Sequence, residues 1–174
     1  MADDHPRELL LLRHGKSDWD AGVAEDFHRP LAERGRRDAP RMGVWIRTEG
    51  IVPDLVVSST ATRAAETARL ALEAMEADPG ILRWDGRLYG ASILALLSTL
   101  GESPDAPRRV LLVGHMPGLE DLARHLAGET VVDHPRGKFL PTAALIRLGM
   151  PRDWSHLPPG CGVFDSVVRP ADLR

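Results

Sequence analysis

The 174-residue chain has a single cysteine, one tyrosine and three phenylalanines, and aromatics make up only 5% of it. One cysteine excludes an intrachain disulfide and any cysteine-built metal site. Cys161 sits between Gly160 and Gly162, in a turn-like stretch with no basic neighbour to lower a thiol's pKa, so it reads as unreactive. The apolar run Leu9–Leu12 is far too short to cross a membrane or to form the core of a secretory leader. The opening Met1-Ala2-Asp3-Asp4-His5 is acidic where a leader would be basic, which makes the cytoplasm the expected location. Neither charge sign dominates: 22 Lys and Arg against 25 Asp and Glu give a formal net charge of −3, with the basic residues spread along the chain. That argues against nucleic acid or an anionic membrane as the main partner. A small anionic substrate needs only a local basic cluster and is compatible with the total. Repeats, low-complexity tracts and linkers are lacking too, so residues 1–174 read as one domain. The oligomeric state is not legible.

Short apolar strands alternate with helical stretches. Leu9–Leu12 is apolar on both faces, as a central strand covered on both sides must be. A long polar loop, 16–30, follows. Leu31–Arg37 then reads as one helical piece, and Asp38 as the cap of a second that tolerates Pro40 in its first turn and stops at Gly50. Asp54–Ser58 is a buried strand, and Thr60 a candidate cap for a helix to about Ala77. Ile81–Trp84 reads as a short strand, Ser92–Leu100 as a helix, and Val110–Gly114 as another buried strand. Pro117 suits the first turn of a helix ending near Gly128, and Ala143–Leu148 and Val163–Val168 complete the strands. The alternation predicts an α/β three-layer sandwich, with a mostly parallel central sheet and helices on both faces.

Three of those strand ends deliver groups suited to phosphoryl transfer. Arg13-His14 follows the first strand, Arg63 lies five residues beyond Ser58, and His115 directly follows Val110–Gly114. Ligands of open α/β sheets bind outside the carboxyl ends of the strands, so these groups are expected to converge. An imidazole with one free nitrogen is a covalent nucleophile, and guanidinium forks match the oxygens of a phosphoryl group. Arg63 falls in the first turn of its helix, where a cation is disfavoured unless an anion binds, and Gly15 would let the backbone approach a phosphate. Arg13-His14-Gly15 alone is a weak signal, met by chance in roughly one or two chains per hundred. Taken singly, Arg63 also reads as a solvated helix residue and His115 as a hydrogen-bonded core histidine. The conjunction at three strand ends carries the reading. The histidines His5, His28, His125, His134 and His156 lack metal-ligand spacing, although His28 could reach the site from its loop. Arg136 and Lys138 read as solvated loop residues, with contact to an anionic substrate as the alternative.

The stretch Leu10-Leu11-Leu12-Arg13-His14-Gly15-Lys16-Ser17-Asp18-Trp19 resembles the opening motif of the histidine phosphatase superfamily, and its continuation resembles the small SixA-like branch. Further similar segments are Pro30-Leu31 with Arg34-Gly35, residues 53–59, Arg63-Ala64 with Thr67-Ala68, residues 113–119 and Phe139-Leu140-Pro141-Thr142. The resemblance implies a phosphoglycerate mutase-like fold and His14 as the nucleophile. It implies a phosphate pocket of Arg13, Arg63 and His115 with Gly15, and neither metal nor cofactor. The substrate would be a phosphohistidine protein or a phosphorylated small molecule. Many members of the family place a carboxylate general acid after the third strand or immediately after the second histidine. Here those positions read Leu88-Tyr89-Gly90-Ala91-Ser92 and Met116. Asp18, close after His14, is the candidate substitute, with Glu33 and Glu120 as alternatives. Each of the three also reads as a solvated or capping carboxylate. Two rival functions remain: a phosphate-binding module with little turnover, and a small phosphomutase, for whose lid 174 residues leave little room.

Overall fold

In the computed structural model, which describes residues 5–102, 107–131 and 137–173, six strands form one sheet. They are β1 (Arg7–Arg13), β2 (Leu55–Ser58), β3 (Leu82–Trp84), β4 (Arg109–Gly114), β5 (Leu145–Met150) and β6 (Val163–Val168). The strand order is β3-β2-β4-β1-β5-β6. The pairs β3/β2, β2/β4 and β4/β1 are parallel, and only β5 runs against its neighbours. The sheet is mostly parallel, as its apolar strands predict.

Four helices cover it: α1 (Glu33–Thr48), α2 (Thr62–Ala74), α3 (Ile93–Gly101) and α4 (Gly118–Ala127). Alternation along β1 builds the two cores. Leu10 and Leu12 pack with Met42, Ile46, Ala64 and Ala68 of α1 and α2. Leu9 and Leu11 pack with Leu96, Leu100, Leu119 and Leu122 of α3 and α4. All four β1 leucines are fully buried, so this central strand has no solvent face to satisfy.

Two helix starts differ from expectation. Asp38 caps nothing: α1 runs unbroken from Glu33 to Thr48 with Pro40 inside it, and Leu31 is left outside, bridged to Ser17. An interior proline costs about 3 kcal/mol of helix stability. Burial of Ala39, Met42 and Ile46 on the same helix offsets that cost and keeps the chain helical on both sides. Thr60 is not the cap of α2 either; Ala61 occupies that place, and the helix ends at Ala74 rather than Ala77. Gly50 with φ of 68° closes α1 as expected, whereas Ser92, read as the first residue of its helix, caps α3 instead, its hydroxyl accepting from Ala95 N–H.

Register places the site. Leu12 lies opposite Val113, and Val113 opposite Ser58, so β1, β4 and β2 end level with one another. The ladder continues one step further, with His14 N–H donating to Gly114 C=O at 3.1 Å and Ser59 N–H to Val113 C=O at 3.0 Å. His14, Ser59 and His115 therefore leave the sheet side by side.

Candidate active site

The rings of His14 and His115 lie 5.2 Å apart, centroid to centroid. His14 is 7% exposed, and its Nδ1–H donates to the carbonyl of Gly15 at 2.7 Å. A carbonyl can only accept, so this contact fixes the proton on Nδ1 and leaves the Nε2 lone pair free. Burial, reinforced by the charges of His115, Arg63 and Arg13, pushes the His14 pKa down to about 3. His115 pairs with the Ser59 hydroxyl through Nε2 at 2.8 Å. Burial and the Arg63 charge lower its pKa to about 4. Both imidazoles are neutral at neutral pH.

Arg63 stands in the first turn of α2 and is buried there. The anion that its helix position calls for is supplied by the protein itself. Arg63 Nη2 donates to Asp26 Oδ2 at 2.9 Å and Nη1 to the Asp26 carbonyl at 2.8 Å. Arg29 donates to the other Asp26 oxygen at 2.6 Å, and the Tyr89 hydroxyl to Oδ2 at 2.8 Å. These three donors, Arg29 foremost, hold the Asp26 carboxyl well below the usual carboxylate range, although its side chain is 45% exposed. Arg29 also donates to Ser17 and stacks its guanidinium 3.6 Å from the Trp19 ring centroid. Arg13 donates to the Leu140 carbonyl at 3.0 Å. Arg13 Nε, Arg63 Nε and His115 Nδ1 are buried with no hydrogen-bond partner among the described residues. Unsatisfied buried nitrogens, the two arginine Nε–H donors among them, in the midst of mutually repelling positive charge suit an anion that is bound and released.

A pocket of about 400 Å³ opens here, lined by Asp26, Arg63, Tyr89, His115, Met116 and others. Gly15 is close by and carries a packing constraint besides the one read from the sequence. Its N–H donates to Thr67 Oγ1 at 3.0 Å, and a Cβ on it would stand 2.9 Å from Gly35 Cα. Packing against α1 demands this glycine.

The candidate acids fall outside the pocket lining. Asp18 accepts from Asp20 N–H in its own turn, Glu120 pairs with Arg124 one helical turn on, and Glu33 is exposed at the start of α1. The pocket carboxylate is Asp26, which sequence reasoning missed along with Arg29, Ser59 and Tyr89. The long loop carries no periodic signal, and only the i, i+3 spacing of Asp26 and Arg29 hinted at a pair. His28 does not line the pocket; its ring packs on Phe27, 3.9 Å from Glu25. His125 bonds the Leu157 carbonyl, and burial raises the Cys161 thiol pKa, in keeping with an inert cysteine. His134 and Arg136 lie outside the described residues, as do residues 1–4, on which the leader reading rests. Among the described residues no three His, Cys, Asp or Glu side chains are grouped to hold a metal, and no helix is long and apolar enough to cross a membrane.

Paired histidines and arginines at the carboxyl ends of a mostly parallel sheet define a phosphoryl-handling α/β protein. The chain belongs to the histidine phosphatase superfamily, whose branch 1 model matches residues 9–85, and within it to the SixA-like group. A protein of Mycobacterium tuberculosis is 36% identical over 158 residues, covering 88% of this chain and 96% of the relative. SixA from Nakamurella multipartitia superposes with a TM-score of 0.78 at 26% identity, over 94% of this chain and 96% of that one. SixA from Agrobacterium tumefaciens gives 0.76 at 27%, over 94% and 98%.

Proposed function

We propose that this chain is a metal-independent phosphatase that carries the phosphoryl group on His14 Nε2 and acts on phosphohistidine or a small phosphoester. The observation that carries the reading is the His14 Nδ1–H bond to Gly15, which leaves a neutral, correctly protonated nucleophile beside two arginines and a second imidazole. The Nε2 lone pair attacks phosphorus and the bond to the leaving group breaks. Water then attacks the phosphohistidine, the N–P bond breaks, and inorganic phosphate departs. Arg13 and Arg63 balance the charge on the phosphoryl oxygens, the work done elsewhere by a divalent ion, and the neutral His115 adds a hydrogen bond. For Arg63 to turn its fork to a phosphoryl group, Asp26 must yield. The resting carboxylate thus holds the place of the substrate's anion.

Phosphohistidine is the favoured substrate class for two reasons. The pocket's carboxylate is locked in its ionised form, so a leaving group that needs a proton is poorly served. The two superposing SixA proteins also carry the name "putative phosphohistidine phosphatase". A phosphate-binding module without turnover would not need a buried neutral His14 with its tautomer fixed.

The test is direct. Rapid quenching during turnover of a labelled aryl phosphate is expected to trap acid-labile, alkali-stable label on His14, and His14→Ala to abolish turnover. Near-normal activity in that variant would sink the mechanism. Thorough chelation is expected to leave activity intact; loss with EDTA and recovery with a divalent metal would reassign the histidines as metal ligands.

A further inference from the structure

Three residues on one face of α1, Arg34, Arg37 and Arg41, line a second pocket of about 360 Å³, together with Asp38, Thr142 and Arg169. It shares no lining residue with the His115 pocket. The turn at 140–143 separates the two: Leu140 C=O accepts from Arg13 and Ala143 N–H donates to His14 C=O, while Thr142 Oγ1 accepts from Arg34 at 3.2 Å. The only acid in the lining, Asp38, is 8% exposed and shared by all three helix arginines, at 3.4 Å from Arg37, 3.7 Å from Arg41 and 4.0 Å from Arg34. Four guanidiniums thus face one carboxylate, in a protein whose net charge is negative.

Two features say that this surplus is built rather than scattered. Arg34 and Arg37 fall within the first five residues of α1, where the helix dipole disfavours a cation unless an anion stands nearby. Arg169 comes from the far end of the chain and is 8% exposed. Its Nη2 is committed to Lys138 C=O at 2.8 Å, and its Nε is buried without a hydrogen-bond partner among the described residues. A buried donor left unmade costs about 1–3 kcal/mol. A flat protein surface laid over this face would meet the exposed Arg34 and Arg37. Arg41 is half-buried, with Nη2 donating to Leu173 C=O at 2.8 Å, and the buried Arg169 is reached only by something that enters the pocket.

We infer that Arg34, Arg37, Arg41 and Arg169 form a second anion site, separate from the catalytic pocket, for a small molecule bearing at least two phosphate or carboxylate groups. Guanidinium forks from two separate segments match such a ligand, because each oxygen-rich group can take paired N–H donors.

Pyrophosphate is the probe, followed by amide chemical shifts of the full chain in about 150 mM salt, where unspecific surface charge is screened beyond ~8 Å. Two sets of amides are expected to move and saturate: Gly15 with Gly114–Gly118, and Arg34–Arg41 with Thr142 and Ala171. In Arg37→Gln/Arg41→Gln the second set is expected to titrate about tenfold more weakly, with the first set unchanged. Arg37→Gln alone, at an exposed position, gives a smaller weakening in the same set and guards against a folding defect in the double variant. Linear, unsaturating shifts along α1, or equal affinity in both variants, would overturn the assignment. A hexaglutamate peptide that bound this face more tightly than pyrophosphate would overturn the small-molecule reading.

Discussion

His14 and His115 are neutral because they are buried among cations, and this fixes the pH behaviour. The folded pKa values of His14 and His115, about 3 and about 4, lie below the ordinary imidazole value of 6.5. Between those limits the unfolded chain binds more protons than the folded one. Stability from these groups is therefore complete above about pH 6.5 and is lost as pH falls toward 4 and 3. Denaturant midpoints measured from pH 7 down to 4 are expected to fall steadily, and His14→Gln should flatten part of that slope. Catalysis follows the same logic. The kcat/KM profile reports the free enzyme, so once the substrate's own ionisation is divided out, its acid limb is expected below about pH 5. A limb near 6.5 would mean that His14 is not held neutral. Arg63→Ala is expected to lower kcat/KM by a factor corresponding to about 3 kcal/mol or more, as loss of a preorganised donor does. It also frees Asp26 from its one buried partner in α2, so the 26–28 turn should show faster amide exchange. The pair is partly exposed, so the global cost in stability stays small.

At the scale of elements, the site rests on close approaches between backbones. A Cβ at Gly35 would stand 2.3 Å from the Lys16 carbonyl, and one at Gly43 2.3 Å from the Ala71 carbonyl. Neither obstacle is a flexible side chain, so a backbone must move. Gly43→Ala separates α1 from α2 and is expected to cost about 1–3 kcal/mol, a Tm loss of several degrees, with kcat nearly normal in the folded fraction. Gly35→Ala pushes on the segment that carries Gly15 and is expected to lower kcat as well. Equal kinetic effects of the two would show that the 14–16 segment is insensitive to α1. These contacts also mark what the sequence could and could not disclose. Leu9–Leu12, Leu55–Val57 and Val110–Val113 announced a covered parallel sheet, because a strand with two buried faces has no polar positions. His14, Arg63 and His115 were found because each follows such a strand. Asp26, Arg29 and Tyr89 meet only in three dimensions, from a loop and a turn where no periodicity applies. The continuity of α1 through Pro40 and Asp38 was hidden because tertiary packing there overrides local signals. The packing constraint on Gly15 was hidden, since its neighbour Gly35 lies twenty residues away.

For the whole molecule the remaining issue is which bonds this pocket can break. Departure of a leaving group with a high pKa needs a proton, and a well-placed general acid is worth about 10²–10⁴-fold. Asp18, Glu33 and Glu120 are all engaged or exposed elsewhere, and Asp26 is held ionised by Arg29, Tyr89 and Arg63. An alkoxide therefore leaves unaided, whereas an aryl oxide hardly needs help and a phosphohistidine ring can depart neutral. Aryl phosphates and phosphohistidine are expected as substrates, with simple alkyl phosphates slower by at least about a hundredfold in kcat/KM. A series of phosphoesters with graded leaving-group pKa measures this as a steep dependence. Asp26→Asn then separates the two roles left to that residue. If Asp26 only holds Arg63 in place, the variant shifts aryl and alkyl substrates by the same factor, and the slope stays as it was. If Asp26 takes up a proton once phosphate draws Arg63 away, the variant steepens the slope by penalising alkyl substrates alone. The dense hydrogen bonding of the resting carboxylate favours the first outcome. A flat series in the unaltered protein, with alkyl esters cleaved as fast as aryl ones, would require a proton donor in the catalytic complex that the resting pocket does not present.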